Sequence, residues 1–144
     1  MNTKCPSWLY EVKVGATTIW ERWDGLDENG RCPIGNDGTD TMISYNHYAS
    51  GAVGDFLYRR VAGIEATKPG YEAFRVKPLV GGGLTGAKAW TETPYGRIAV
   101  EWRAENGGFS IHVEVPVGAT CTLEMPDGSK TVLTSGSHER SCML

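Results

Sequence analysis

The feature that most constrains this chain is a change of hydrophobic period near Pro69-Gly70. Before it, Ala49, Ala52, Val53, Phe56, Leu57, Val61 and Ile64 recur at steps of three and four, one apolar stripe over about four helical turns. After it, Phe74-Arg75-Val76-Lys77, Ile98-Ala99-Val100-Glu101-Trp102, Phe109-Ser110-Ile111-His112-Val113-Glu114-Val115 and Cys121-Thr122-Leu123-Glu124-Met125 alternate apolar with polar. That is the period of strands with one face buried and one wet. The separators Thr93-Pro94-Tyr95-Gly96, Glu105-Asn106-Gly107-Gly108 and Pro126-Asp127-Gly128-Ser129 supply turn chemistry. The sequence therefore predicts an α+β fold in two parts: a helical segment over residues 1–68, then an antiparallel β-sandwich of roughly six or seven strands over residues 69–144.

Within the helical part, residues 18–23 are expected to start a helix, and the Gly-, Asp- and Asn-rich stretch 24–40 is expected to be a loop. A loop of that length is usually functional or mobile. The second helix is expected to stop at Gly63, with Arg59 and Arg60 in its last turn, where positive charge suits the helix dipole. Gly81-Gly82-Gly83 lacks the Lys and spacing of a phosphate loop and reads as a flexible turn.

Charge and cysteine usage remove several classes of function. A net charge of -3 over 144 residues provides no basic footprint, so no nucleic-acid partner is expected. No apolar run approaches the roughly 20 residues needed to span a bilayer, and Met1-Asn2-Thr3-Lys4-Cys5-Pro6 lacks the apolar core of a signal peptide, so no membrane partner is expected either. Cys5, Cys32, Cys121 and Cys142 form no CxxC pair, which argues against zinc or redox chemistry and does not favour disulfides. Asp24, Asp27, Glu28, Asp37 and Asp40 lack the alternating spacing of a calcium hand. No metal and no cofactor are expected.

Two residues could carry chemistry. Glu21 lies between Trp20 and Trp23, and three-residue spacing on a helix would place both indoles on one face beside the carboxylate. Such a wall raises a carboxylate's basicity toward a bound water, and indole faces suit the CH edges of a pyranose. The alternative is structural: Thr18-x-x-Glu21 matches a capping box, and the tryptophans could simply be core. His47, in Ser44-Tyr45-Asn46-His47-Tyr48, stands where the second helix begins; it could contact a sugar hydroxyl or be an exposed neighbour of an Asn46 or Ser44 cap. His112 and His138 show no partner pattern and read as surface residues.

Pro6-Ser7-Trp8-Leu9-Tyr10, the segment from Gly15 to Trp23, Ser44-Tyr45-Asn46-His47-Tyr48, Gly51-Ala52-Val53, Pro69-Gly70-Tyr71, Gly81-Gly82-Gly83-Leu84-Thr85 and Thr93-Pro94-Tyr95-Gly96-Arg97 resemble, in order, the C-terminal part of bacterial α-L-rhamnosidases of glycoside hydrolase family 78. The resemblance implies that residues 1–68 are the last helices of an (α/α)6 catalytic barrel and that a C-terminal sandwich follows. It also implies an inverting hydrolase, in which one carboxylic acid protonates the leaving oxygen and one carboxylate activates water on the opposite face. The family's general base falls on Glu21, and a rhamnose-contacting histidine falls on His47. The family's general acid lies upstream of any residue here, so the resemblance implies a chain that meets rhamnose-containing glycosides through a barrel it lacks and is inactive alone. Whether the chain itself is an enzyme stays open on this reading, as do a cytoplasmic or a periplasmic parent. Self-association through helix faces left exposed is expected. A carbohydrate-binding or purely structural β-sandwich module is the alternative.

Overall fold

Ser7 opens the first helix: its Oγ accepts the Tyr10 backbone N–H at 3.1 Å, capping α1 (Trp8–Lys13). The helix ends at Gly15, whose φ of 91° turns the chain while its N–H bonds back to the Val12 carbonyl at 3.1 Å. This is element α1 of a computed structural model that describes residues 3–32 and 43–144. The chain divides into two compact units, Met1–Val53 and Gly54–Leu144.

The expected helix over residues 18–23 does not form. Thr17, Thr18 and Ile19 are three successive β-branched residues, poor helix formers, and the backbone here spends its hydrogen bonds on residues 44–47 instead. The Glu21 N–H donates to the Ser44 carbonyl at 2.8 Å and the His47 N–H to the Ile19 carbonyl at 2.8 Å. Of the predicted acidic loop, Asp37 and Asp40 lie outside the described residues. Asp27 shapes the described part, its Oδ1 accepting the Asn29 and Arg31 backbone N–H groups at 2.8 Å each.

The second predicted helix exists in pieces. α2 (Tyr48–Gly51) starts after His47; next in the chain, α3 (Val53–Phe56) and a π-helical stretch, Leu57–Ala62, make a short helical rod. Gly63 stops it as expected, at φ 85°. Ile64 does not extend the helical stripe; it opens a strand.

The second unit holds eight strands: β1 (Ile64–Ala66), β2 (Ala73–Val76), β3 (Gly86–Thr93), β4 (Gly96–Glu105), β5 (Gly108–Val115), β6 (Thr120–Glu124), β7 (Lys130–Leu133) and β8 (Gly136–Met143). They form two four-stranded sheets, ordered β1-β2-β6-β7 and β3-β4-β5-β8. Alternate side chains from both sheets meet in one core: Phe74, Val76, Cys121 and Leu123 from the first, Ile98, Val100, Trp102, Ile111 and Val113 from the second. The architecture is thus mixed and mostly antiparallel, with one departure from the expected antiparallel pattern. β2 and β6 run parallel, Phe74 beside Cys121 and Val76 beside Leu123. β1 is a strand of this assembly, so the division expected after residue 68 falls inside the second unit.

The predicted turns are where the sequence put them. Asn106 (φ 52°) and Gly107 (φ 76°) make a two-residue turn of left-handed residues joining β4 to β5. Asp127 Oδ1 accepts the Ser129 N–H at 2.9 Å in the turn between β6 and β7. Trp102 is buried and still satisfies its indole, which donates to the Val61 carbonyl at 2.8 Å and ties the π-helical stretch to β4. Cys5, Cys121 and Cys142 carry free thiols, and among the described residues no cluster of acidic, His or Cys side chains could hold a metal. None of the described helices is long and apolar enough to cross a membrane.

Candidate active site

The first unit brings Glu21 and His47 together by a different route from the one their spacing suggested. Two non-helical segments, residues 18–21 and 44–47, are linked by hydrogen bonds. Glu21 makes a reciprocal pair with Ser44, its N–H donating to the Ser44 carbonyl and its Oε2 accepting the Ser44 N–H at 2.9 Å. The Thr18 hydroxyl donates to the Tyr45 carbonyl, and the His47 N–H closes the stretch on Ile19. These links anchor both candidate residues to one piece of paired backbone.

The capping box does not form. Thr18 turns to Tyr45, and the Glu21 carboxylate holds an amide 23 residues away rather than its own helix end. The two tryptophans do not share a face either. Trp20 is buried with its ring edge-on to Tyr45, centroids 5.4 Å apart, whereas Trp23 is partly exposed and meets Trp8 at 5.4 Å. Glu21 itself is exposed. It is a surface carboxylate on a rigid backbone, with a buried indole on one side and a half-exposed one two residues on.

His47 is the residue that caps α2, at φ -108° and ψ 108°, and its side chain makes no capping bond. Its ring stacks on Tyr48, 5.8 Å between centroids and 17° between planes. The Ser44 hydroxyl accepts the Asn46 N–H at 3.4 Å, a local turn before the helix, so neither Ser44 nor Asn46 is the cap expected of them. His112 and His138, expected at the surface, make exposed contacts there: His112 Nε2 lies 2.7 Å from Ser137 Oγ and His138 Nε2 lies 2.7 Å from the Thr134 carbonyl.

Sequence reasoning missed Glu11. This carboxyl is 2% exposed, and its Oε1 has no hydrogen-bond partner. Burial raises its pKa, and the Trp20 backbone N–H, which it accepts, acts in the opposite direction. A charged residue between the apolar Trp8-Leu9-Tyr10 and Val12 was the available signal, since an acid in the first turn of a helix is otherwise unremarkable. Beside it, buried Tyr10 donates to the Leu26 carbonyl at 3.0 Å and ties α1 to the loop.

Comparison with known proteins matches both parts of the chain. Residues 1–61 match the bacterial alpha-L-rhamnosidase 6 hairpin glycosidase domain, and residues 63–140 match the bacterial alpha-L-rhamnosidase C-terminal domain. An alpha-L-rhamnosidase of Formosa agariphila is 38% identical over 133 residues, 91% of this chain and 14% of the relative. One of Streptomyces avermitilis is 37% identical over 121 residues, 84% of this chain and 11% of the relative. The chain thus spans only a small part of the length of the curated relatives it matches. Among solved structures, the native alpha-L-rhamnosidase of Aspergillus terreus superposes with a TM-score of 0.84 at 36% identity, over 99% of this chain and 17% of that one. The Streptomyces avermitilis alpha-L-rhamnosidase complexed with L-rhamnose gives 0.80 at 31%, over 98% of this chain and 15% of that one. On this agreement the chain belongs to the bacterial alpha-L-rhamnosidase family.

Proposed function

We propose that this chain is the C-terminal portion of an inverting α-L-rhamnosidase: the helical part before Gly63 is the closing part of an (α/α)6 barrel, and the strands from Ile64 onward are the sandwich that follows it. In this reading Glu21 is the general base that removes a proton from the attacking water, and His47 contacts the rhamnose. The observation that carries the reading is the backbone pairing of residues 18–21 with 44–47, which holds an exposed carboxylate and an imidazole-bearing residue on one frame. A base must be fixed to within a fraction of an ångström to align water with an anomeric carbon. Two main-chain bonds and the Ser44 amide supply that rigidity.

Hydrolysis with inversion also needs an acid across the glycosidic bond. The relatives are several times longer than this chain, and the acid is assigned to the part of them that it does not span. General acid catalysis contributes about 10² to 10⁴ in rate, and losing the rest of the pocket removes positioning as well. The 144-residue chain by itself is therefore expected not to turn over an aryl α-L-rhamnoside. In a full-length relative, replacing the glutamate that aligns with Glu21 by Gln should lower kcat by at least about 10², with β-L-rhamnose as the first product of the unmodified enzyme by NMR. Turnover by the isolated chain that Glu21→Gln abolishes would show that the acid lies within it and overturn this reading. The same reading implies self-association of the isolated chain through Phe56 and Leu57, both about half exposed on the helical rod.

A further inference from the structure

The outer face of the β3-β4-β5-β8 sheet plays no part in the chemistry proposed for Glu21. Its register aligns one polar row straight across four strands: Lys88 beside Glu101, Glu101 beside His112, His112 beside Glu139. Arg103 stands next along β4, opposite Ser110. Lys88 Nζ lies 2.9 Å and Arg103 Nη2 3.4 Å from the Glu101 carboxylate, so the row is cross-braced. A trough of about 530 Å³ runs over Glu101, Arg103, His112 and Glu139, and a second of about 350 Å³ continues it over Lys88 through the same Glu101 and Arg103. On β3, two residues from Lys88 and on the same face, Trp90 is 53% exposed. Its cross-strand neighbour is Ala99, too small to cover the indole.

We propose that this face binds a short neutral oligosaccharide, with Trp90 as the platform for the CH face of one ring and the Glu101, His112 and Glu139 row bonding the hydroxyls of the next.

Other ligand classes fit less well. Lys88, Arg103 and Arg140 balance Glu101, Glu105 and Glu139 along the two troughs, so there is no net charge to hold a polyanion. A peptide strand could add only at a sheet edge, because the main-chain groups of β4 and β5 are already paired on both sides. A saccharide needs what is present: planar polar side chains able to bridge adjacent hydroxyls, and one open aromatic face. The ion pairs with Lys88 and Arg103 hold the Glu101 carboxyl below its ordinary pKa, which keeps it an acceptor for hydroxyls across the working pH range. The spacing suits more than one ring, since two residues along a strand separate Trp90 from the polar row by about 7 Å.

The test is titration of the full 144-residue chain with a rhamnosyl-glucose disaccharide, cellotetraose and, as the anionic probe, tetragalacturonate, followed by heteronuclear NMR. At least one neutral probe is expected to shift amides of β3, β4 and β5. Trp90→Ala and Glu101→Gln should each weaken that binding about tenfold. Both side chains are on the solvent face, and unchanged amide spectra elsewhere in the sheet confirm that each variant is folded. Glu21→Gln should leave it unchanged, which separates this site from the proposed catalytic one. Saturation by none of the neutral probes, binding of the tetragalacturonate alone, or binding that survives Trp90→Ala overturns the proposal.

Discussion

Glu11 shows how one side chain can run against the stability of the unit it occupies. Its carboxyl is buried, one oxygen accepts the Trp20 amide and the other accepts nothing. Because burial raises its pKa, the folded state holds the proton more tightly than the unfolded chain does. Stability is then highest below the ordinary carboxyl pKa of about 4, falls as pH rises through the raised folded value, and stays reduced at neutral pH. Glu11→Gln keeps an acceptor for the Trp20 amide and removes the buried charge. It should stabilise the first unit by roughly 1 kcal/mol at pH 7 and by much less at pH 4, read from urea titrations followed on the amide signals of α1 and Trp20. A loss of stability at pH 7 would mean that the carboxylate is compensated. At the same scale, the Cys121 thiol, pushed up to about 12 by burial, stays protonated and inert while the core is closed.

At the scale of elements, the glycine that ends the helical rod is held in place by backbone rather than by its own turn. Gly63 has φ 85°, and a Cβ there would lie 2.3 Å from the Pro78 nitrogen and 2.4 Å from the Lys77 carbonyl carbon. The approach is needed because the Lys77 N–H donates to the Gly63 carbonyl at 2.9 Å, where the chain leaves the rod to begin β1. Gly107, at φ 76° in the β4–β5 turn, would meet nothing within 4 Å. Gly63→Ala should therefore cost more than about 2 kcal/mol, through both strain and clash, and Gly107→Ala about 1 kcal/mol through strain alone. Calorimetric melting of the two variants checks this; equal shifts would show that the close approach at Gly63 relaxes freely. The elements also mark where sequence patterns mislead. The stripe from Ala49 to Val61 is helical, as its period says, but its period also says that the stripe should be buried, and Phe56 and Leu57 are exposed. Thr18-x-x-Glu21 has the spacing of a cap and forms none, because β-branched neighbours favour an extended backbone once residues 44–47 are there to pair with it.

For the molecule as a whole, those exposed apolar side chains set the solution behaviour to be expected. Sedimentation velocity should show a weight-average mass that rises with concentration, and the double substitution of Phe56 and Leu57 by Ser should return it toward the 15.6 kDa of one chain. A monomer at all concentrations would remove self-association from the reading. What the sequence determined by itself is whatever depends on near neighbours: strand period, the Asn106-Gly107 and Asp127-Gly128 turns, the stop at Gly63, and the family, since ordered motifs survive as strings of residues. Tertiary structure alone decided the parallel pairing of β2 with β6, the place of Ile64 in a strand, the burial of Glu11 and the union of Glu21 with Ser44. Each of these is a contact between segments distant in sequence. Its free energy comes from surface buried and hydrogen bonds closed across the fold, and no local pattern carries that information.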